Sequence, residues 1–179
     1  MKWHHRHLVF FISGLVLAII LAGNPIFRSL ISGLGTLGYL GAFIAGLLYV
    51  SSLTVGTSVV IISGLAQDLS PIMIGLIGGL GGTLGDYLIY KFVKDDLTRE
   101  IGEMLTLNEK ELLKKLVEIN LVKRLLPIVG TIIIALPLPN EIGVTCLGLS
   151  NLSQKQFFLI SFVANAVGIT LVASVVRIF

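Results

Sequence analysis

Long apolar segments dominate this chain and limit what it can fold into. Six of them cover residues 8–22, 31–50, 55–66, 71–93, 125–149 and 157–176. A helix that crosses the hydrocarbon core of a bilayer needs about 20 such residues. Charged residues make up only 13% of the chain, against about 25% in soluble domains. The pattern predicts an all-α integral membrane protein with a single membrane domain.

One polar stretch, residues 94–124, separates the fourth apolar segment from the fifth. It holds 7 of the 13 Lys and Arg residues and 7 of the 10 Asp and Glu residues. Asn108 and Glu111 have the spacing of a helix capping box, and the apolar residues that follow repeat at helical intervals, which predicts an amphipathic linker helix. With the N-terminus and this linker in the cytoplasm, 11 of the 13 basic residues lie inside. That bias predicts insertion in the cell membrane with this orientation.

The first apolar segment, residues 8–22, follows a basic N-terminus, a pattern that also fits a cleavable secretory signal. Cleavage after Ala22 would place Ile20 where a small residue is needed. We therefore favour a retained N-terminal transmembrane helix.

Two further stretches are interrupted midway, and their second halves are too short to span a bilayer. Polar residues and Gly56 interrupt the first, and Pro137 and Pro139 interrupt the second. Proline breaks a helix, which is tolerated at membrane depth where the freed backbone groups face protein or a water-filled cavity. The pattern predicts two re-entrant hairpins with breaks at these residues.

An internal repeat supports this interpretation. Gly64 aligns with Gly148, and Gly85 aligns with Gly168 after one residue is dropped in the turn. Each unit, 36–93 and 125–176, is a hairpin followed by one full helix, so the second copy must be inverted. Inverted repeats with broken helices are typical of secondary transporters.

Three acidic residues lie outside the linker: Asp68, Asp86 and Glu141. Asp68 falls in a polar turn, where capping of a helix end accounts for it. An acid within an apolar segment usually faces a bundle interior and marks a pathway. Glu141 follows Asn140 at the tip of the second hairpin, which predicts a substrate-binding or proton-binding site there; a cap for the following short helix is the alternative.

A glycine-rich stretch leads to Asp86. Asp86 lies on the same helix face as the glycines of this stretch and is a further candidate for the site. The alternative is a solvated charge near the helix end at Lys91. On the last helix Asn165, with Ser161 and Thr170, can line the same cavity. The spacing predicts one helix face for close helix packing. The glycines of this face each lie three or four residues from another one along the helix: Gly75, Gly78, Gly79, Gly82 and Gly85.

Other classes of function lack their signatures. A Gly-x-Gly motif binds dinucleotides only within a soluble strand, turn and helix unit, whereas apolar residues continue on both sides here. The chain has no Gly-Lys-Ser/Thr motif, no serine elbow and no Cys/His metal spacing. We therefore expect no enzyme activity, no cofactor, no metal and no nucleic-acid partner.

Two stretches carry a resemblance to a known family. "GLLYVSSLTVGTSVVIISGLAQDLSPIMIGLIGGLGGTLGDYLIYKFVKD" and "LPLPNEIGVTCLGLSNLSQKQFFLISFVANAVG" resemble the DedA superfamily, the SNARE-associated or VTT-domain membrane proteins, over residues 36–175. The resemblance implies two facing re-entrant hairpins and movement of lipids, among them polyprenyl-phosphate carriers. Glu141 matches the hairpin acid proposed to couple to protons or to sense the headgroup. Unlike many members, the chain has no acid in the first hairpin and no arginine between Arg124 and Arg177, so a phosphate headgroup would lack a bidentate partner.

The sequence thus predicts a transporter or lipid translocase that moves a lipid or lipid-linked carrier, with protons as the candidate coupling ion. Two alternatives stay open. The first is a scaffold or assembly factor, in which the glycine face serves packing or homo-oligomer formation. The second is an exporter of small molecules or ions, which would share the same architecture.

Overall fold

Six α-helices make up the part of the chain that the computed structural model describes, which is residues 38–104 and 120–178 without Pro139 and Asn151, and three isolated earlier positions. Over these residues the structure contains no strand, and the predicted all-α class is confirmed to that extent. The capping box at Asn108 lies outside them, as does the predicted N-terminal helix 8–22 except for two isolated positions. In chain order the helices are α1 Tyr39–Tyr49, α2 Val55–Asp68, α3 Pro71–Met104, α4 Asn120–Ala135, α5 Asn140–Leu149 and α6 Gln154–Ile178.

Two of these helices are long and apolar enough to cross a membrane by length and composition: Pro71–Lys91, with 21 residues, and Gln154–Ile178, with 25. At about 1.5 Å per residue the shorter one measures about 31 Å, close to the roughly 30 Å of a hydrocarbon core. The helix that contains it, α3, continues to Met104, beyond the predicted boundary at residue 93. The first part of the predicted linker is therefore an extension of α3.

The long helices expose apolar side chains in rows. Such rows favour apolar surroundings, because soluble monomers rarely expose large contiguous apolar patches. On α3 every fourth residue is an exposed leucine, and α6 shows a similar row of Leu and Val. The members are Leu76, Leu80, Leu84 and Leu88 on α3, and Leu159, Val163, Val167, Leu171 and Val175 on α6.

Glycines let α3 approach α6 closely. A Cβ added at Gly75 would overlap Thr170, one at Gly79 would lie 2.8 Å from the Ala166 Cβ, and one at Gly82 would lie 2.7 Å from the Asn165 Cγ. Because the numbering rises on α3 as it falls on α6, the two helices run antiparallel. Close approach of backbones through small residues is how helices pack where no hydrophobic effect drives them together.

A second row of glycines on α3 faces α1. A Cβ at Gly78 would lie 3.2 Å from the Ala42 carbonyl oxygen, one at Gly81 would overlap the Phe43 carbonyl oxygen, and one at Gly85 would lie 2.5 Å from Val50 Cγ2. The structure thus differs from the predicted single face. At 3.6 residues per turn the rows 75/79/82 and 78/81/85 point to adjacent sides of the helix, so α3 packs between two neighbours.

The short helices form two contacting pairs, α1 with α2 and α4 with α5. The first break covers residues 50–54, and Gly56 lies inside the first turn of α2, so the predicted break at Gly56 is wrong. Side chains hold the true break: Thr54 Oγ1 donates to the Leu48 carbonyl oxygen at 2.6 Å, a local bond that competes with helix formation. Pro137 lies in the second break, between α4 and α5, and Pro139 falls outside the described residues.

Two apolar clusters form the core. Both are built from several helices, so each helix pair is fixed to a long helix. One combines α1 and α2 with α3 and α6 and includes Tyr49, Ile62, Ile74 and Ile169. The other combines α4, α5 and α6 and includes Ile134, Leu147, Phe157 and Ala164.

Candidate functional site

Asp86 on α3 is completely buried, at 0% exposure. Its Oδ2 accepts hydrogen bonds from Ser161 Oγ at 2.7 Å and from Asn165 Nδ2 at 2.6 Å, and its Oδ1 accepts one from Asn140 Nδ2 at 3.1 Å. All three donors are neutral side chains. The alternative of a solvated charge at the helix end is therefore wrong, because three helices enclose the carboxyl group.

Helical spacing explains why α6 contributes two of the three partners of Asp86. Ser161 and Asn165 are four residues apart, so they lie on the same face, and Asn165 Nδ2 also donates to the Ser161 carbonyl oxygen at 3.0 Å. Gly82 lies one turn before Asp86 on α3, and a side chain there would occupy the place of Asn165. The glycine therefore makes room for the amide that binds the acid.

Asn140 begins α5 and is also completely buried. Besides its bond to Asp86, its Nδ2 lies 3.4 Å from Asn165 Oδ1, which accepts from it. The predicted residues Asn140, Asp86 and Asn165 thus lie in one hydrogen-bonded cluster, to which α3, α5 and α6 each contribute.

The next residue, Glu141, links the second break to the first. The backbone N–H and the hydroxyl of Ser52 both donate to Glu141 Oε1, at 3.1 Å and 2.7 Å. Ser52 lies in the break between α1 and α2, is 4% exposed, and is 89 residues away in the chain. The two breaks therefore meet directly at the start of α5.

Some buried polar atoms of this region have no hydrogen-bond partner among the described residues. They are Tyr49 Oη, Asn140 Oδ1 and Glu141 Oε2. Tyr49 ends α1, three residues before Ser52. A buried polar atom without a hydrogen bond destabilises the protein by about 1–3 kcal/mol. A ligand that supplies the missing bond therefore gains affinity at such atoms.

The cluster combines two acids with neutral polar side chains inside an apolar bundle. Asn140 connects the two acids, because it donates to Asp86 and directly precedes Glu141 in the chain. Within the described part of the chain no group of three or more His, Cys, Asp or Glu residues is placed to hold a metal ion. The arrangement can take up a proton or bind a polar group that donates hydrogen bonds.

Other predicted residues lie elsewhere. Thr170 packs against Gly75 and donates to the Ala166 carbonyl oxygen at 2.7 Å, so it does not join the cluster. Sequence reasoning missed Ser52 as the partner of Glu141. The available signal was its position in a break that faces the second break in the predicted hairpin arrangement.

Comparisons with protein-family models, with curated proteins and with solved structures find no match to this chain. The resemblance to DedA proteins therefore rests on the sequence motifs given above.

Proposed function

We propose that the chain is a membrane transporter or lipid translocase of DedA/VTT type, in which Glu141, Asn140 and Asp86 form the binding site between two re-entrant hairpins. Its cargo is a lipid or lipid-linked carrier of the cell membrane, with protons as the coupling ion. The observation that carries this proposal is the contact between the two helix breaks through Ser52 and Glu141, beside a buried acid.

The directions of the helices support hairpins that enter from opposite sides. Ala42 lies beside Gly78 and Val50 beside Gly85, so α1 runs in the same direction as α3 and reaches the site from the end where α3 begins. At the other end of the bundle, Gly148 of α5 lies beside Tyr90 of α3. The second pair thus approaches the site from the Lys91 end.

The depth of the acid also supports a transport role. Asp86 precedes Lys91 by five residues, which places it about 7 Å inside the apolar part of α3. Burial of an ionisable side chain in a membrane bundle costs several kcal/mol and is typical of substrate and proton pathways. Asp86 has a complete set of polar partners at this depth, which a chance substitution would not provide.

A groove between α3 and α6 supports a lipid as the cargo. It is shallow and open to the surface, with a volume of about 550 Å³, and its walls are almost entirely apolar, which suits contact with an acyl chain. Lys155 adds one positive charge to its lining. The lining residues are Leu80, Thr83, Leu84, Lys155, Phe158, Leu159 and Phe162.

The first test is Glu141→Gln in proteoliposomes, measured as flux of a fluorescent phospholipid across the bilayer. Glutamine keeps an oxygen for Ser52 and removes the charge, so we expect folding to persist and flux to fall at least about tenfold, or 1.4 kcal/mol in barrier height. Asp68→Asn is the matched control, because Asp68 is an exposed acid at the end of α2, and it should retain wild-type flux. Wild-type flux in the Glu141 variant would remove this residue from the site.

The second test is the hairpin topology, measured by single-cysteine labelling with an impermeant maleimide in a Cys146→Ala background. Tyr39 and Gln67 are exposed near the two ends of the first pair, and Leu53 is exposed at its break. We expect cysteines at 39 and 67 to react from outside the cell, and a cysteine at 53 not to react from the cytoplasmic side. Reaction of position 53 from the cytoplasm alone would mean that α1 and α2 span the membrane.

Labelling of the second pair provides the internal control. Arg124 and Lys155 are exposed near its two ends. Cysteines at both positions should react only from the cytoplasmic side. Reaction of either from outside the cell would contradict the opposed arrangement.

A further inference from the structure

Two neighbouring residues at the start of α5 each use one polar atom and leave the other unfilled. Asn140 donates through Nδ2 to Asp86 and Asn165, and Glu141 accepts through Oε1 from Ser52. The remaining atoms, Asn140 Oδ1 and Glu141 Oε2, are buried without a partner in the described part of the structure. Both are hydrogen-bond acceptors.

The orientation of the Asn140 amide is fixed by its surroundings. An ionised Asp86 can only accept hydrogen bonds, and Asn165 Oδ1 is also an acceptor. A flipped amide would place its oxygen against both of these oxygens and would lose both bonds, so the bonding network assigns Nδ2 to that side. Asn140 Oδ1 therefore faces away from Asp86 and requires a donor from another source.

The Tyr49 hydroxyl has no partner in the described part of the structure and so bonds neither acceptor, and the other neighbouring side-chain donors are already used. The Ser161 hydroxyl donates to Asp86 at 2.7 Å, and the Ser52 hydroxyl donates to Glu141 Oε1 at 2.7 Å. Asn165 Nδ2 donates to Asp86 at 2.6 Å and to the Ser161 carbonyl oxygen at 3.0 Å. A ligand that completes this site must therefore bring hydrogen-bond donors of its own.

We propose that the group bound here is a hydrogen-bond donor, a primary ammonium or a hydroxyl, that donates to Asn140 Oδ1 and Glu141 Oε2. This inference rests on the proposed function, because it names the chemistry of the ligand at the same site. A phosphodiester or a carboxylate has only acceptor oxygens and would add negative charge beside Glu141. An ammonium donates and also compensates the two neighbouring acids.

Lipid headgroups and free small molecules both offer this chemistry, so the test separates them. The full-length protein is placed in nanodiscs, and lipid binding is measured by native mass spectrometry. Phosphatidylethanolamine and phosphatidylcholine have the same net charge, but only the first has N–H donors in its headgroup. Phosphatidylglycerol and phosphatidylmethanol form a second pair, in which only the first has hydroxyl donors.

We expect the donor lipid of at least one pair to bind about tenfold more tightly than its partner. In Glu141→Gln the amide can turn its NH₂ toward the ligand, so the preference should fall below about threefold, whereas Asp68→Asn should keep it. For a free ligand, methylammonium or glycerol should raise the unfolding temperature in phosphatidylcholine nanodiscs, and tetramethylammonium should not. Either result supports the donor site and identifies its source.

Equal binding within both lipid pairs, together with no stabilisation by methylammonium or glycerol, would overturn the inference. Flux experiments separate this failure from that of the proposed function. If flux depends on Glu141 but is equal within both lipid pairs, the protein is a translocase that does not select for hydrogen-bond donors. Donor-selective binding without any Glu141-dependent flux would retain the site and remove the translocase.

Discussion

An alanine in place of Gly46 is expected to force α1 and α3 apart and to lower the free energy of unfolding strongly. A Cβ at this position would overlap the carbonyl oxygen of Gly78 and lie 2.8 Å from its Cα. These are backbone atoms of a neighbouring helix, so they can move away only if the whole helix shifts. Overpacking usually destabilises by about 1–3 kcal/mol, and a collision between two backbones should exceed that range. Unfolding in mixed detergent micelles, followed by circular dichroism, measures the loss.

Gly148→Ala is the matched control for this prediction. A Cβ at Gly148 meets only the ring of Tyr90, at 3.3 Å and 3.5 Å, and a side chain can shift by a few tenths of an ångström. Alanine also favours a helix by about 1 kcal/mol relative to glycine, so this variant should match or exceed wild-type stability. Equal losses in both variants would mean that a general intolerance of helix glycines, rather than the contact between α1 and α3, explains the effect.

The glycines show how far local spacing predicts this fold. Intervals of three and four residues place Gly75, Gly79 and Gly82 on one face from geometry alone. Which helix each glycine meets depends on the tertiary arrangement, and the same spacing rule did not single out Gly81, which faces Phe43 of α1. The glycines lie against helices of the same chain, so they serve helix packing within this chain.

The sequence identifies the site residues that carry a charge or lie beside a helix break. Asp86 and Glu141 are conspicuous because acids are rare in apolar segments, and Asn140 because it follows a proline break. Ser52 had no comparable signal, since serines are common in breaks and its bond to Glu141 joins residues 89 apart. The position of Asp86 in an apolar segment favoured its burial, but the arrangement of the three helices that enclose it depends on the tertiary structure.

Replacing Asp86 with alanine is expected to lower the free energy of unfolding by about 2–4 kcal/mol, because buried donors lose their acceptor. The Ser161 hydroxyl is affected most. Asn165 keeps its bond to the Ser161 carbonyl oxygen at 3.0 Å, and Asn140 keeps its weak bond to Asn165 at 3.4 Å. Flux should be lost together with stability. Asp68→Asn should lose neither, since Asp68 is exposed.

Exchanging the acid and the amide between positions 86 and 140 tests whether their hydrogen bond, rather than side-chain volume, stabilises the protein. Asn140→Asp alone places a second carboxylate about 3 Å from Asp86, and like charges at this distance repel strongly. Asp86→Asn alone keeps one oxygen for Ser161 and Asn165 and should lose only about 1 kcal/mol. Combined, the two changes again pair one carboxylate with one amide across the α3–α5 contact. The double variant should therefore be at least about 1 kcal/mol more stable than Asn140→Asp alone, as measured by a double-mutant cycle of unfolding free energies. Additive losses would mean that Asp86 and Asn140 do not act as a pair, and the site would then reduce to the contact between Glu141 and Ser52.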